Sequence, residues 1–241
     1  MYLSIIIPAY NEEDRIAKTL RRVVAYLKEQ PFDSEILVVI DGAKDNTAEV
    51  VNGLRAEMPN LRVIDRKENR GKGYTVREGM LAAHGDIRLF TDADNSTDIA
   101  HFDKMKPLFE QGHDIVICSR DKKDIEGATQ AVPQLFLKRQ LGNMGNLFIQ
   151  LFAVRGIWDT QCGFKAFTTE VAERIFSRAK IDRWGFDIEA LALARKFGYK
   201  IGIVPAYWIN DPKSHVKLSG YLRVLWETVQ IWWWLRTGRY R

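Results

Sequence analysis

The hydrophobic positions of this 241-residue chain switch repeatedly between short continuous runs and helical stripes. Runs rich in β-branched residues at Leu3–Pro8, Glu35–Ile40, Arg62–Asp65, Ile87–Thr91 and Asp114–Ser119 predict strands. Between them Ile16, Leu20, Val23, Val24 and Leu27 fall on one helical stripe, as do Val50, Val51, Leu54 and Met58. A third helix is expected from near Gly73 to Ala83 and a fourth from Phe102 to Phe109. The alternation predicts an α/β fold: a doubly wound, mostly parallel sheet flanked by helices. In such sheets ligands sit beyond the carboxyl ends of the strands.

The pattern changes after Arg120. Asp121–Gln130 is polar and reads as a loop, and Gln134–Val154 as an apolar helical segment interrupted by Gly142 and Gly145. Short strands are expected near Phe164–Thr168 and at Ile201–Val204, with helices from Glu170 to Arg178 and from Ile188 to Phe197. The last segment, Leu218–Leu235, is Trp-rich and predicts a C-terminal amphipathic helix. No repeat, low-complexity tract or linker breaks the chain, so one domain over residues 1–241 is expected, with functional halves 1–120 and 121–217 and a terminal helix in 218–241.

Composition narrows the partners more than the fold. Hydrophobic residues at 46% and charged residues at 28% exclude a disordered or collagen-like chain. A net charge of +5 leans toward anionic partners. The basic residues are dispersed, however, without the stripe, aromatic signature or zinc finger of a nucleic-acid binder, so no nucleic-acid partner is expected. Cys118 and Cys162 form no CxxC pair, and no HExxH or Cys/His cluster marks a zinc site. Two such cysteines fit a reducing compartment. Met1–Pro8 lacks a basic region and a long apolar run, and reads as a first strand rather than a signal peptide.

Candidate chemistry collects at the strand ends. Pro8-Ala9-Tyr10-Asn11-Glu12 follows the first strand, Asp41-Gly42-Ala43-Lys44-Asp45 the second, Asp92-Ala93-Asp94 the fourth and Arg120 the fifth. In an extended segment Asp92 and Asp94 point to the same side. Two such carboxylates repel unless a cation joins them, and hard divalent ions are held by one or two carboxylates together with substrate phosphates. A solvated turn is the plain alternative; the position beside other acids at a sheet edge favours the metal. Tyr10 and Glu12 suit a nucleotide pocket as wall and acceptor, and Asp41 suits a base N–H or a ribose hydroxyl. Asn69-Arg70-Gly71-Lys72-Gly73 precedes a predicted helix, where glycine permits close approach and the helix N-terminus attracts phosphate. A flexible basic turn is the alternative, and Lys72 is the substrate-binding candidate here. Arg66 stands where a Walker loop needs glycine, and no GxGxxG follows the first strand.

Taken in order, PAYNEE from Pro8, Ile40-Asp41 with the turn to Thr47, NRGKG from Asn69, Asp92-Ala93-Asp94 and Ser119-Arg120 resemble glycosyltransferase family 2, with its GT-A fold. Asp159-Thr160-Gln161-Cys162-Gly163-Phe164-Lys165 and Arg183-Trp184-Gly185-Phe186-Asp187 are similar to the dolichyl-phosphate β-glucosyltransferases and, more distantly, the dolichol-phosphate mannose synthases. The likeness runs from Leu3 to about Arg236, and the stretch from Asp159 to Lys165 is its most specific part. It implies that Pro8, Ala9, Tyr10, Glu12 and Asp41 hold the nucleoside. It implies that Asp92, Ala93 and Asp94 hold the sugar nucleotide, the two aspartates also gripping Mg²⁺ or Mn²⁺. Arg120 and Arg139 match basic positions that face phosphates. Ile40 breaks the family's paired acid after the second strand. Ser96 stands where the mannose synthases carry a glutamine, which leaves the outer metal positions to water.

The reaction so implied is inverting transfer of a hexose, glucose from UDP-glucose on the nearer resemblance, to a polyprenyl or dolichyl phosphate. Residues 1–120 would then be the nucleotide-sugar half and 121–217 the acceptor half. A phosphate acceptor is mostly dianionic at neutral pH and needs cations more than a base; Arg139 with one of Lys213, His215 or Lys217 is expected to hold it. Asp187 is a catalytic candidate that orients the donor sugar or a cationic neighbour, against an equal case for a helix N-cap. Trp184 is a candidate sugar wall, although Trp184 and Phe186 beside a glycine suit a core better. Cys162 reads as a small buried hydrophobe. The run Tyr221–Leu235 would span ~22 Å as a helix, short of the ~30 Å hydrocarbon core. With Arg236, Arg239 and Arg241 after it, it suits an interfacial anchor, and the segment Leu147–Val154 offers a second contact. The expectation is a cytoplasmic protein, peripheral on the cytoplasmic membrane face; packing of both helices on the domain or in an oligomer is the alternative. Two other readings compete: a family 2 transferase acting on a hydroxyl of a soluble glycan or protein, and a non-catalytic nucleotide-sugar binder. Nothing in the sequence sets the oligomeric state.

Overall fold

The computed structural model describes residues 1–130, 136–208 and 218–241; for residues 130, 136–143, 218 and 219 it describes the backbone alone. The first half alternates as the periodicity predicts: β1 (Leu3–Ala9), α1 (Ile16–Lys28), β2 (Ser34–Asp41), α2 (Thr47–Gly53), β3 (Leu61–Arg66), α3 (Lys72–Ala82), β4 (Ile87–Thr91), α4 (Phe102–Glu110) and β5 (Ile115–Ser119). The second half adds β6 (Thr129–Gln130), α5 (Phe136–Phe152), β7 (Phe164–Thr168), α6 (Thr169–Phe176), α7 (Phe186–Phe197), β8 (Ile201–Pro205), β9 (Tyr207–Trp208) and α8 (Leu218–Thr237).

Among the described residues the main sheet has seven strands in the order β3-β2-β1-β4-β7-β5-β8. The chain winds outward from β1 to β3 and then returns to place β4 on the other side of β1. The β1–β4 junction is therefore the topological switch point, where a crevice opens at the carboxyl ends. The side-chain alternation of a strand divides the core into two layers. Ile5 and Ile7 face Ile16, Leu20, Phe102 and Met105, while Ile6, Leu37 and Val39 face Val76, Met80, Ile175 and Leu191.

Three details depart from the sequence pattern. β7 runs antiparallel between β4 and β5, pairing Phe164 with Thr91. The loop before β7 consequently lies at the same edge as the end of β4. The stripe through Leu54 and Met58 outruns its helix: α2 stops at Gly53, and both side chains stay buried from the turns that follow. The polar stretch 121–130 ends in β6, which pairs with β9 in a small second sheet.

α8 is longer than the apolar run within it. Its 20 residues extend ~30 Å, so length is not what separates it from a spanning helix. Arg223, Glu227 and Gln230 lie within it, and no described helix is long and apolar enough to cross a membrane. Its inner face buries Val224, Glu227, Thr228 and Ile231, and Tyr240 beyond its end is also buried. Tyr221, Leu222, Trp226 and Trp233 are exposed on it. α5 lies alongside, with the Phe152 ring edge-on to Trp232 at 5.9 Å, and exposes Met144, Leu147 and Leu151. Each helix thus packs on the domain by one face and leaves apolar side chains on another.

Candidate active site

The carboxyl edge of the sheet gathers the predicted residues through a set of loop locks. β1 ends at Ala9, with Tyr10 exposed just beyond the buried Pro8 and Ala9. Asn11 takes a left-handed conformation (φ 56°) that an asparagine tolerates, and its Oδ1 accepts from Lys44 N at 2.8 Å. Glu12 N donates to Thr47 Oγ1 at 2.7 Å, which joins the loop after β1 to the start of α2. The Glu12 carboxylate pairs with Arg15. Burial pushes its pKa up, and the nearby Asp94 and Asp92 add to that against Arg15.

Asp41 closes β2 as a buried hub. Its Oδ1 accepts from Arg66 Nη2 at 2.5 Å and Arg70 N at 2.8 Å, and its Oδ2 from Gly71 N at 2.8 Å. The carboxylate thereby shapes the Asn69–Gly71 loop, and a nucleoside contact from it would draw on its remaining lone pair. Gly71 has φ 106°, and a Cβ there would stand 2.4 Å from Asp182 O, so only glycine lets this loop close against the segment before α7. The lock delivers Lys72 as the first residue of α3.

Asp92 and Asp94 flank the buried Ala93, whose carbonyl accepts from Thr19 Oγ1 at 2.6 Å. Asp94 Oδ1 accepts from Ser96 N at 2.9 Å. Asp92 N donates to Gly163 O at 3.2 Å, and a Cβ on Gly163 would lie 2.1 Å from Asp92 Oδ2. The Asp92 carboxylate therefore rests in a cradle that glycine alone leaves open. Lys72 Nζ stands 2.6 Å from the buried Asp92 Oδ1, an off-axis ion pair that is this oxygen's partner among the described residues. The same ammonium is 5.8 Å from the Trp184 ring centroid and 5.9 Å from that of Phe186. Burial opposes its charge, but Asp92, Asp187 and Asp94 outweigh burial and hold its pKa above the ordinary lysine value.

A carboxylate in a glycine cradle, held by an off-axis lysine alone at one oxygen and with a second carboxylate two residues on, fits a hard divalent cation. Among the described residues no group of three or more His, Cys, Asp or Glu side chains is placed to hold a metal. The two aspartates would thus need the remaining positions filled by substrate phosphate and water.

Asp187 sits in the first turn of α7, whose N-cap is Gly185, so it does not cap that helix. Its Oδ1 accepts from Lys165 Nζ at 2.5 Å, and the same ammonium donates to Cys162 O at 2.5 Å. Lys165 is 0% exposed. Burial raises the Asp187 pKa, while Lys165 and Lys72 oppose the rise. Of the two aromatics, Phe186 is core and Trp184 is exposed over Lys72. Cys162 is buried, and its thiol is pushed up to about 11, chiefly by burial, in keeping with an inert hydrophobe.

Arg120 forks onto Asp159, Nε to Oδ2 at 2.8 Å and Nη2 to Oδ1 at 2.7 Å, and its backbone N adds a third bond to Oδ2 at 2.7 Å. The guanidinium lies 5.2 Å from the Trp208 ring centroid. Burial alone would raise the Asp159 pKa, but Arg120 overrides it and holds it below the usual carboxylate range. Arg120 is thus close to the crevice with its fork already occupied. The Arg139 side chain, Lys213, His215 and Lys217 lie outside the described residues. Sequence reasoning gave no role to Lys165, Asp159 or Gly163. A lysine inside the otherwise apolar strand FKAFT was the available signal for the first.

The sequence profile described as "Glycosyl transferase family 2" matches residues 4–176. The dolichyl-phosphate beta-glucosyltransferase ALG5C of Trichomonas vaginalis is 37% identical over 99% of this chain and 73% of its own length. The human dolichyl-phosphate beta-glucosyltransferase is 32% identical over 98% of this chain and 72% of its own. Among solved structures, glucosyl-3-phosphoglycerate synthase from Mycobacterium tuberculosis, in complex with Mg²⁺ and uridine-diphosphate, superposes with a TM-score of 0.66 at 19% identity. It covers 98% of this chain and 79% of that one, a likeness of GT-A fold.

Proposed function

This chain belongs to glycosyl transferase family 2 and is a glycosyltransferase, and from that premise we propose that it moves glucose from UDP-glucose to a polyprenyl or dolichyl phosphate with inversion. The observation that carries the proposal is the Asp92 carboxylate at the switch point of the sheet, cradled by Gly163, two residues from Asp94 and paired at Oδ1 with Lys72. The names of the relatives supply the acceptor and the sugar.

In this scheme an acceptor phosphate oxygen forms a bond to the anomeric carbon while the bond from that carbon to the diphosphate breaks, and UDP leaves. An α-linked donor gives a β-linked product. Mg²⁺ or Mn²⁺, held by Asp92 and Asp94, would supply Lewis-acid neutralisation of the departing diphosphate. Lys72, first residue of α3, adds a cation and the partial positive charge of a helix N-terminus on the same side. Pro8, Ala9, Tyr10, Glu12 and Asp41 line the nucleoside end, and Trp184 walls the sugar. A dianionic acceptor needs no base, and in this scheme Asp187, bonded to Lys165, orders charge and takes no proton. Arg139 is assigned to the acceptor, and Arg120 acts through its hold on Asp159.

Residues 1–241 act as one domain in this reading. The exposed Trp226, Trp233 and Leu222 of α8, beside Leu147 and Leu151 of α5, rest on a membrane surface with Arg236 nearby. Trp226→Ser with Trp233→Ser should lower binding to anionic liposomes about tenfold without changing the fold; unchanged binding removes the membrane from the scheme. The reaction itself is tested by crossing UDP-glucose, GDP-mannose and UDP-N-acetylglucosamine with a short polyprenyl phosphate, with and without Mn²⁺ or Mg²⁺. Glucosyl-phosphoprenol from UDP-glucose alone is expected. Transfer only to a hydroxyl acceptor overturns the assignment of the acceptor.

A further inference from the structure

Lys72 occupies a position that charge alone does not require of a phosphate-binding lysine. Its ammonium is drawn onto Asp92 Oδ1 at 2.6 Å, 5.8 and 5.9 Å from the ring centroids of Trp184 and Phe186 and within electrostatic reach of Asp94 and Asp187. Among the described residues this off-axis ammonium is the partner of that oxygen, and Gly163 behind it fixes how far the carboxylate can retreat. Asp187 gives Oδ1 to Lys165, and its Oδ2 receives no hydrogen bond among the described residues. The cluster therefore alternates in sign, from Lys165 to Asp187 to Lys72 to Asp92, with one lysine shared between two carboxylates.

We propose that Lys72 is an internal counter-ion that occupies Asp92 before a divalent cation does, competes with that cation, and shifts toward Asp187 and the donor diphosphate when Asp92 is taken. The proposal rests on the reading that Asp92 and Asp94 bind the metal. An ammonium and a dication on one carboxylate repel at contact distance in a partly desolvated site. Removing the ammonium leaves Asp92 uncompensated and more avid for a cation. Removing it also takes a positive charge from the diphosphate, so the two affinities move in opposite directions. A lysine that merely supports the fold would weaken both.

The test uses the full chain without donor. Free Mn²⁺ is titrated by electron paramagnetic resonance against the wild type, Lys72→Met, Lys72→Arg and Asp92→Asn. UDP binding in Mn²⁺ is measured separately by calorimetry, and thermal melts verify folding. Lys72→Met should bind Mn²⁺ about tenfold more tightly and UDP more weakly. Lys72→Arg keeps the charge and should bind Mn²⁺ like the wild type, while Asp92→Asn should lose it. Equal or weaker Mn²⁺ binding by Lys72→Met, with Asp92→Asn still defective, overturns the competition and leaves the metal site standing. Mn²⁺ binding that is absent in every protein, with and without UDP, overturns the metal reading and this inference together.

Discussion

The two ends of the sheet treat buried charge in opposite ways. At the amino end Glu35 receives three aligned donors over its two oxygens: Ser4 Oγ at 2.6 Å and His84 N at 2.7 Å on Oε1, and Arg62 Nη1 at 2.5 Å on Oε2. Gly85 N then donates to Ser4 Oγ at 2.7 Å, which closes the network over the starts of four strands. At the carboxyl end Asp92 Oδ1 meets a single off-axis ammonium, that of Lys72, and Asp187 keeps one oxygen unbonded among the described residues. A saturated carboxylate holds the chain; an unsaturated one in a crevice has capacity left for a ligand. Within the carboxyl end the same contrast recurs: Asp159 is taken up by the Arg120 fork and holds loops, while Asp41, with three donors, holds a loop and keeps one lone pair.

The contrast breaks first at Asp92. Asp92→Asn keeps the shape and removes the charge, and should lower transfer roughly 10²–10³-fold, the scale of losing one preorganised electrostatic partner. Its melting temperature should change little, because the Lys72–Asp92 pair it breaks is partly exposed. Initial rates and a thermal scan check both; a large loss of stability would place Asp92 with the structural acids.

Arg120→Ala should do the reverse. It strands Asp159 in a buried position and should cost about 3–5 kcal/mol. Lys72→Met, whose ion pair is partly exposed (side chains 23% and 32%), should cost less than about 1 kcal/mol. Urea unfolding of the two variants sharpens the comparison, and equal costs would erase it.

The fold was legible because its strands are long apolar runs with turn residues between them. The strands β1, β2 and β4 fall within about a residue of the runs that predict them. The antiparallel direction of β7 was not legible, since FKAFT carries the same alternation either way. Of the site, Asp92 and Asp94 were visible from their spacing at a strand end. Their environment was not: the Gly163 cradle comes from a loop about 70 residues away in sequence that only the reversed β7 brings back. Arg120 was readable as a cation and Asp159 as an acid, yet their pairing across 39 positions has no local signature. Trp184 and Phe186 were inseparable by composition, and it is the start of α7 at Phe186 that turns one inward and leaves the other over Lys72.

The smallest effects carry the clearest sign. Glu35 has its pKa lowered: burial raises it, but Ser4, Arg62 and His84 N prevail. Its stabilisation is therefore full above the ordinary glutamate value of 4.5 and is lost as pH falls through the lower folded value. Glu35→Gln turns an amide N–H toward Arg62 and should cost about 1–3 kcal/mol at pH 7, the difference closing in acid. Glu227 of α8 is the opposite case. It accepts from Gly185 N at 2.6 Å, yet burial leaves its pKa raised against that bond and Arg223. The folded state then holds the proton more tightly than the unfolded one, so this group's contribution falls as pH rises from the ordinary glutamate range through the raised value. Glu227→Gln keeps an oxygen for Gly185 N and removes the buried charge. It should be neutral or stabilising by up to about 1 kcal/mol at pH 7, with a flatter dependence on pH above the ordinary glutamate value of 4.5 than the wild type. Deleting α8 and the residues after it could not make this point, because Ile231 and Tyr240 would leave the core with them. A Glu227→Gln variant that loses stability at neutral pH but not in acid would show that this carboxylate is held in its charged form, and would move it to the same class as Glu35.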